Sequence, residues 1–468
     1  MTSPPPVDTL AGLRAAGHEL RPVKAEVRDN LIARMRSGVP LVPDVLGFEE
    51  DVLPALERAL LAGHDVILLG ERGQAKTRIV RRLVELLDEW APVIAGCEIN
   101  CHPYVPTCGH CRDLAASTGE DLPVTWLARD RRFAEKLATP DTSVADLIGD
   151  IDPIKVAEGR TLGDERTIHF GLVPRTNRGI VAINELPDLP ERIQVALLNV
   201  LEERDIQVRG YTLRLPLDLL LVATANPDDY TNRGRIISPL KDRFGAQVRT
   251  HYPRTVDDEV AIVRQEATPA PVGVVVRVPR FLDEILVELA RGLRANAQVN
   301  QRSGVSVRYT IGAHETMVAG AVRRAIRAGE AVAVPRIVDL WAVVPAALGR
   351  IEFDTLEEGN ELAIVTRQLR QAILDVFREH LAGADLSGLV SRFDEGLVVG
   401  TGELVPAATL REATGEVPGL ATWARTLGVD PDDPEGAASV LEFVLEGLHL
   451  ARRLTKDSGD EATAAYGR

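Results

Sequence analysis

The run Val66-Ile67-Leu68-Leu69-Gly70-Glu71-Arg72-Gly73-Gln74-Ala75-Lys76-Thr77 constrains this chain more than any other stretch. Four apolar residues feed straight into a glycine loop, and Ile79, Leu83, Leu86, Leu87 and Trp90 follow at helical spacing, which predicts a helix over 74–90. Strand, glycine loop and helix in that order make a cradle for phosphate. The loop amides turn inward, and the helix N-terminus behind them favours negative charge. In this pattern Lys76 reaches the β- and γ-phosphates of a nucleotide and the Thr77 hydroxyl binds Mg²⁺. Ala75 stands where the pattern has its last glycine. It costs little if the position has φ below zero, because only positive φ strongly favours glycine. The plainer alternative is a strand-to-helix turn with an incidental lysine.

Two further apolar runs, 179–184 ("GIVAIN") and 219–226 ("LLLVATAN"), read as buried parallel strands, with a helix between them up to about 204. Strands alternating with helices imply an α/β sheet covered on both faces. Phosphoryl transfer from a nucleotide needs one carboxylate to hold the Mg²⁺ hydration shell and another to polarise the attacking water. Glu185, at the end of the first run, fits the water role. Asn184 occupies the metal role with an amide, which accepts a hydrogen bond but carries no charge. The plainer alternative is a strand end capped by an asparagine.

The segment "GLVPRTNRGIVAINELPDLPERIQVALLNVLEERDIQVRGYTLRLP" (171–216) resembles AAA+ ATPases of the MoxR and magnesium-chelatase ATPase-subunit (ChlI/BchI-like) branch. The resemblance covers about residues 40 to 310. Ala75 is within that family's habits; Asn184, in place of aspartate, departs from them. The resemblance implies a P-loop AAA+ parallel sheet flanked by helices, an all-α lid and a helical C-terminal region. It assigns 1–40 to an N-terminal arm and helix, 41–254 to the ATPase core with a Cys-rich insertion at 97–111, and 255–351 to the lid. Residues 352–454 form the C-terminal helical region, and 455–468 is expected to be a disordered tail. By the same resemblance Asn226 positions the attacking water, and Arg243 is an arginine finger acting on a neighbouring subunit's nucleotide. Arg308 serves as a second sensor from the lid, and Val45, Leu46 and Gly47 line the adenine side. ATP and Mg²⁺ are the implied cofactors. A homo-oligomeric ring, most often a hexamer, is the implied assembly, acting on a protein client alongside a von Willebrand A domain partner. Three readings follow: a remodelling or metal-inserting ATPase, a magnesium-chelatase ATPase subunit of tetrapyrrole synthesis, or a weakly hydrolysing nucleotide-gated scaffold.

All four cysteines, Cys97, Cys101, Cys108 and Cys111, fall within fifteen residues, with His102 and His110 among them. Four thiols ending in a Cys-x-x-Cys knuckle match a structural Zn²⁺ site, with a histidine able to replace Cys97 or Cys101. Free thiols, an iron–sulfur cluster and a redox disulfide are the alternatives.

The charge balance of −15 argues against general nucleic-acid binding through phosphate contacts. The chain has no apolar run long enough for a membrane span, and its start has no secretory pattern, so cytoplasmic residence is expected. With aromatics at 4%, the core must rest on aliphatic residues. Residues 1–20, Pro-rich at the outset, are expected to form a loose arm.

Overall fold

The computed structural model describes all residues except 1–2, 158–164, 203–204, 209–210, 227–234, 272, 301–303, 355–358 and 459–462. The chain divides into two compact units, Met1–His251 and Tyr252–Arg468. The break falls just before the end of the expected core at 254.

The first unit carries, in order, α1 (Val23–Arg36), α2 (Val52–Leu61), β1 (Val66–Leu69), α3 (Lys76–Arg82), β2 (Trp90–Ile94), α4 (Gly109–Thr118), β3 (Val124–Ala128) and β4 (Phe133–Leu137). They are followed by β5 (Gly179–Asn184), α5 (Glu191–Glu202), β6 (Leu219–Ala225), α6 (Ser238–Arg243) and β7 (Ala246–Arg249). Five of these strands form one sheet in the order β7-β1-β6-β5-β4, with every neighbouring pair parallel. β1, β5 and β6 are buried along their whole length, as apolar runs of this length require when a sheet is covered on both faces. One core lies against each face: Val66, Leu68, Ile180 and Val222 pack on α1, α2 and α3, while Ile67, Val181, Ile183 and Leu221 pack on α5 and α6.

An ion pair clamps the sheet at the N-terminal ends of its strands. Arg132, just before β4, bonds Glu26 of α1 through two contacts of 2.7 and 2.6 Å, and its Nε donates to the Arg178 carbonyl just before β5. Both side chains are almost wholly buried.

The helix expected over 74–90 is shorter than that. α3 ends at Arg82, one 3₁₀ turn follows (Leu83–Leu86), and Trp90 opens β2. The Asp88 N–H is taken by Glu26 Oε1 at 2.7 Å, and Trp90 is committed to the antiparallel β2–β3 pair. Nor is the N-terminal stretch a loose arm. Leu10 and Leu13 are buried, and the Asp8 carbonyl accepts from the Val124 N–H at 2.8 Å.

The second unit is mainly helical. Its longest helices are α7 (Arg280–Arg294), α8 (Val307–Ala328), α9 (Glu361–Leu381) and α10 (Pro434–Leu450), with β8 (Val399–Gly402) before α10 and β9 (Thr455–Ser458) and β10 (Thr463–Gly467) after it. One hydrophobic core runs from Phe281 to Tyr466, so the expected division into a lid and a separate C-terminal region has no counterpart in the packing. The tail expected to be disordered supplies β9 and β10, with 459–462 outside the described residues. β10 is the middle strand of an antiparallel sheet with β8 and β9. What orders these polar residues is Glu446, buried on α10. It accepts from Lys456 Nζ at 2.6 Å and from the Tyr466 hydroxyl, and an acid this deep needs such donors.

Candidate functional site: the carboxyl edge of the sheet and the cysteine knuckle

The parallel register sets the site. Leu69 pairs with both Ala225 and Arg249, and Ala223 pairs with Ile183. Gly70, Asn226, Thr250 and Glu185 therefore leave the sheet side by side at its carboxyl edge, where open α/β sheets bind their ligands.

The glycine loop is closely packed there. A Cβ on Gly70 would lie 1.9 Å from Thr250 Oγ1 and 2.2 Å from Gln74 Oε1, so any side chain there would push both away. Gln74 is pinned through Oε1, which accepts from the Glu71 N–H at 3.0 Å and from Thr250 Oγ1 at 2.8 Å. Gly73 has φ +79°, as the turn demands. Ala75 has φ +54° and ψ +9°, so the condition under which it would cost little is not met. The left-handed conformation costs an alanine roughly 1–2 kcal/mol. Arg72 is exposed and Thr77 half-buried on the first turn of α3.

Lys76 is buried. Its Nζ donates to the Gly70 carbonyl, to the Glu71 carbonyl at 2.8 Å and to Asn226 Oδ1 at 3.0 Å. Asn226 Nδ2 in turn donates to Glu185 Oε2 at 3.1 Å. The chain Lys76–Asn226–Glu185 thus joins three of the residues singled out in the sequence, 150 positions apart at its extremes. Glu185 has φ +55°, a turn that lets its side chain leave the strand line, and its N–H is held by Thr224 Oγ1 at 3.2 Å. Asn184 is buried, with Nδ2 2.6 Å from Glu135 Oε1 and Oδ1 accepting from Thr224 at 3.3 Å.

The other named residues are placed differently. Val45 belongs to the core with Leu41, Val42 and Phe48, and Leu46 and Gly47 are half-buried beside it. Arg243 ends α6 and pairs with Glu202 at the end of α5. Arg308 is an exposed residue on the first turn of α8, in the second unit. Sequence reasoning missed Glu135, Thr224 and Thr250. Glu135 left one signal: a lone acid inside the strand-like run Phe133-Ala134-Glu135-Lys136-Leu137.

The lysine, hydroxyl, carboxylate and asparagine converging on a positive-φ loop fit a nucleotide triphosphate with its divalent cation.

The second cluster is local. Cys108 caps α4, and the Sγ atoms of Cys97, Cys101, Cys108 and Cys111 all lie within 4.8 Å of one another. Cys97 and Cys108 are 4.0 Å apart, and the cysteines are free. Four thiolates about 2.3 Å from one tetrahedral Zn²⁺ stand about 3.8 Å from each other, so the spacing fits the ion. Backbone N–H groups point at the sulfurs: Cys101 N to Cys97 Sγ, Thr107 N and Cys108 N to Cys101 Sγ, each at 3.3 Å. Hydrogen bonding to Cys101 holds Cys97 below the ordinary thiol value, and bonding to Cys108 does the same for Cys101. Neither histidine joins the group: His110 is exposed, and His102 Nδ1 accepts the Tyr104 N–H at 3.0 Å.

The chain is similar to known proteins over part of its length. The sigma-54 interaction domain family matches residues 157–240. The magnesium-chelatase 38 kDa subunit of Acidiphilium rubrum is 29% identical over 214 residues, which is 43% of this chain and 55% of that protein. The 38 kDa subunit of Rhodobacter capsulatus is 27% identical over 237 residues, 48% of this chain and 59% of that protein. A ChlI homolog of Methanocaldococcus jannaschii is 28% identical over 204 residues, 43% and 51% respectively. The chain thus spans a little over half the length of the curated relatives it matches. Among solved structures, the BchI–BchD complex of magnesium chelatase aligns at 21% identity over 70% of this chain and 98% of that one, TM-score 0.35. The Thermotoga maritima RuvB branch migration motor aligns at 13% identity over 90% and 94%, TM-score 0.36. In its sheet and its phosphate loop, and over these stretches of sequence, the chain's first unit is similar to the ChlI/BchI subunits of magnesium chelatase.

Proposed function

We propose that the first unit binds Mg-ATP at the carboxyl edge of its sheet and hydrolyses it. The observation that carries this is the Lys76–Asn226–Glu185 chain, which ties the phosphate-binding cation to the general base through one amide. Bound ATP supplies the γ-phosphoryl group, and Mg²⁺ neutralises its charge. Lys76 turns from the loop carbonyls to the phosphates, the Thr77 hydroxyl faces the metal, and Gly70 to Ala75 surround the phosphate oxygens. Glu185 takes the proton of the attacking water, and Asn226 keeps that carboxylate aimed.

Assembly into a homo-oligomeric ring, hexameric by family habit, completes the site. Arg243 then leaves its half-exposed partner Glu202 for the nucleotide of a neighbouring subunit; a surface pair of this kind is cheaply broken. The cysteine knuckle holds a structural Zn²⁺. The work done is remodelling or metal insertion in a protein client in the MoxR manner, with a von Willebrand A domain protein as the partner type. The magnesium-chelatase relatives favour metal insertion as a second form of that work. Asn184 favours a third reading, a scaffold that binds ATP and turns it over slowly. Cytoplasmic residence accords with the finding that no helix among the described residues is long and apolar enough to cross a membrane.

Steady-state ATP hydrolysis against protein concentration, with ATP binding measured in parallel, tests this. Turnover should rise with assembly and fall by two orders of magnitude or more in Arg243→Ala, the scale of an arginine finger. Lys76→Ala should lose ATP binding. Normal binding in that variant would remove the loop from the site, and turnover indifferent to Arg243 would leave the scaffold reading.

A further inference from the structure

The amide at 184 leaves the metal side of the site one charge short, and the structure holds a carboxylate within reach of that gap. Glu135 lies on β4, the strand beside β5, and its Oε1 is 2.6 Å from Asn184 Nδ2. A carboxylate only accepts, so the atom facing it must be the amide nitrogen. Asn184 is thereby fixed in one of its two flips, with Oδ1 turned away from Glu135 and towards Thr224 Oγ1. The orientation matters. Waters on a divalent cation present hydrogens outward, so an amide that offered its NH₂ group to them would repel where Oδ1 attracts.

Glu135 is itself held from the other side. Arg81 of α3 donates to it through Nε at 2.7 Å and through its terminal nitrogen at 3.2 Å. Thr77 and Arg81 are four residues apart and share one face of α3. Arg81 thus ties α3 to the Glu135 carboxylate, which meets the end of β5 on its other flank.

We propose that Glu135 is the positioning acid of this site: by binding the Asn184 NH₂ group it leaves Oδ1, shared with Thr224, as the oxygen open to the metal's waters, and it sets a carboxylate, paired with Arg81, beside a strand end that carries only an amide. The proposal rests on the Mg-ATP reading given above. It assigns the pair Asn184–Glu135 the task that a single strand-end aspartate performs in the resembled family.

The test is a double-mutant cycle read by binding. The affinity of a fluorescent ATP analogue is titrated against Mg²⁺, and once in EDTA, for the full chain carrying Glu135→Gln, Asn184→Asp or both, with thermal melts as the folding control. Glu135→Gln should raise the Mg²⁺ concentration for half-maximal binding about tenfold, the scale of one charge-assisted hydrogen bond, and leave binding in EDTA unchanged. In the Asn184→Asp background the same change should cost less than twofold, because an aspartate has no amide to orient. An unchanged Mg²⁺ titration in Glu135→Gln overturns the proposal. So does an equal tenfold loss in both backgrounds, which would mean that Glu135 acts without Asn184. Failure of the wild-type chain to bind the analogue at any Mg²⁺ concentration would instead strike the Mg-ATP reading itself.

Discussion

The four sulfurs of the knuckle come from residues 97 to 111 and are gathered by one turn and the start of α4. The groups around Lys76 come from the ends of four strands and are spread from Gly70 to Thr250. The first cluster is assembled from one short stretch packed on the core and, on the zinc reading, would lean on its ion; the second exists only while the sheet keeps its register. Local sites are therefore fragile to the loss of a ligand, and distributed ones to the loss of a strand's position.

Loss of the proposed Zn²⁺ from the local cluster should have the largest effect. Structural Zn²⁺ in small domains is worth on the order of 10 kcal/mol of apparent binding. Cys108→Ser with Cys111→Ser should abolish zinc in elemental analysis, from one ion per chain to none, and unfold the segment around α4. Hydrogen exchange there should become fast while β1, β5 and β6 stay protected. A chain that holds no zinc when isolated, yet protects α4 fully, would make the cluster a set of thiols.

Next comes the clamp of the distributed site. Glu26→Ala leaves the Arg132 guanidinium buried without its partner, which costs about 3–5 kcal/mol. The urea midpoint of the first unit should fall accordingly. ATP binding should weaken too, although Glu26 lies at the opposite end of the strands from Lys76. Unchanged binding at permissive urea would show that the carboxyl edge keeps its register without the clamp.

The smallest effect belongs to Ala75→Gly, which should stabilise the first unit by about 1 kcal/mol through relief of the left-handed alanine. A slightly higher melting temperature with ATP affinity intact is expected. A drop in affinity would mean that the alanine's restriction helps hold the loop ready.

The same contrast governs what could be read from the sequence. The loop was legible because strand, glycines, lysine and helix are contiguous, and the knuckle because its spacing is short. β5 and β6 declared themselves as buried apolar runs. Glu135 did not, since its role depends on β4 pairing with β5, a contact across 49 positions. The tail misled because Lys456 and Tyr466 look solvent-seeking until Glu446 is known to be buried beneath them. Ala75 misled for another reason: composition gives no dihedral angle, and the family pattern tolerates a residue that the backbone strains to hold. Chemistry within one turn of the chain is written in order; chemistry between strands is written in register.

Consider, finally, how Lys76 is held when nothing else claims it. Its ammonium rests on two carbonyls of its own loop and on the Asn226 amide oxygen. Any triphosphate must outbid those oxygens on arrival, and they stand ready to reclaim the cation at departure. On the Mg-ATP reading proposed above, that competition would lower affinity and speed exchange, making the loop a spring latch and not a trap. Because Asn226 also donates to Glu185, drawing the lysine off Asn226 would be felt at that carboxylate. Occupancy of the cradle is thereby reported one residue away, before any chemistry has taken place.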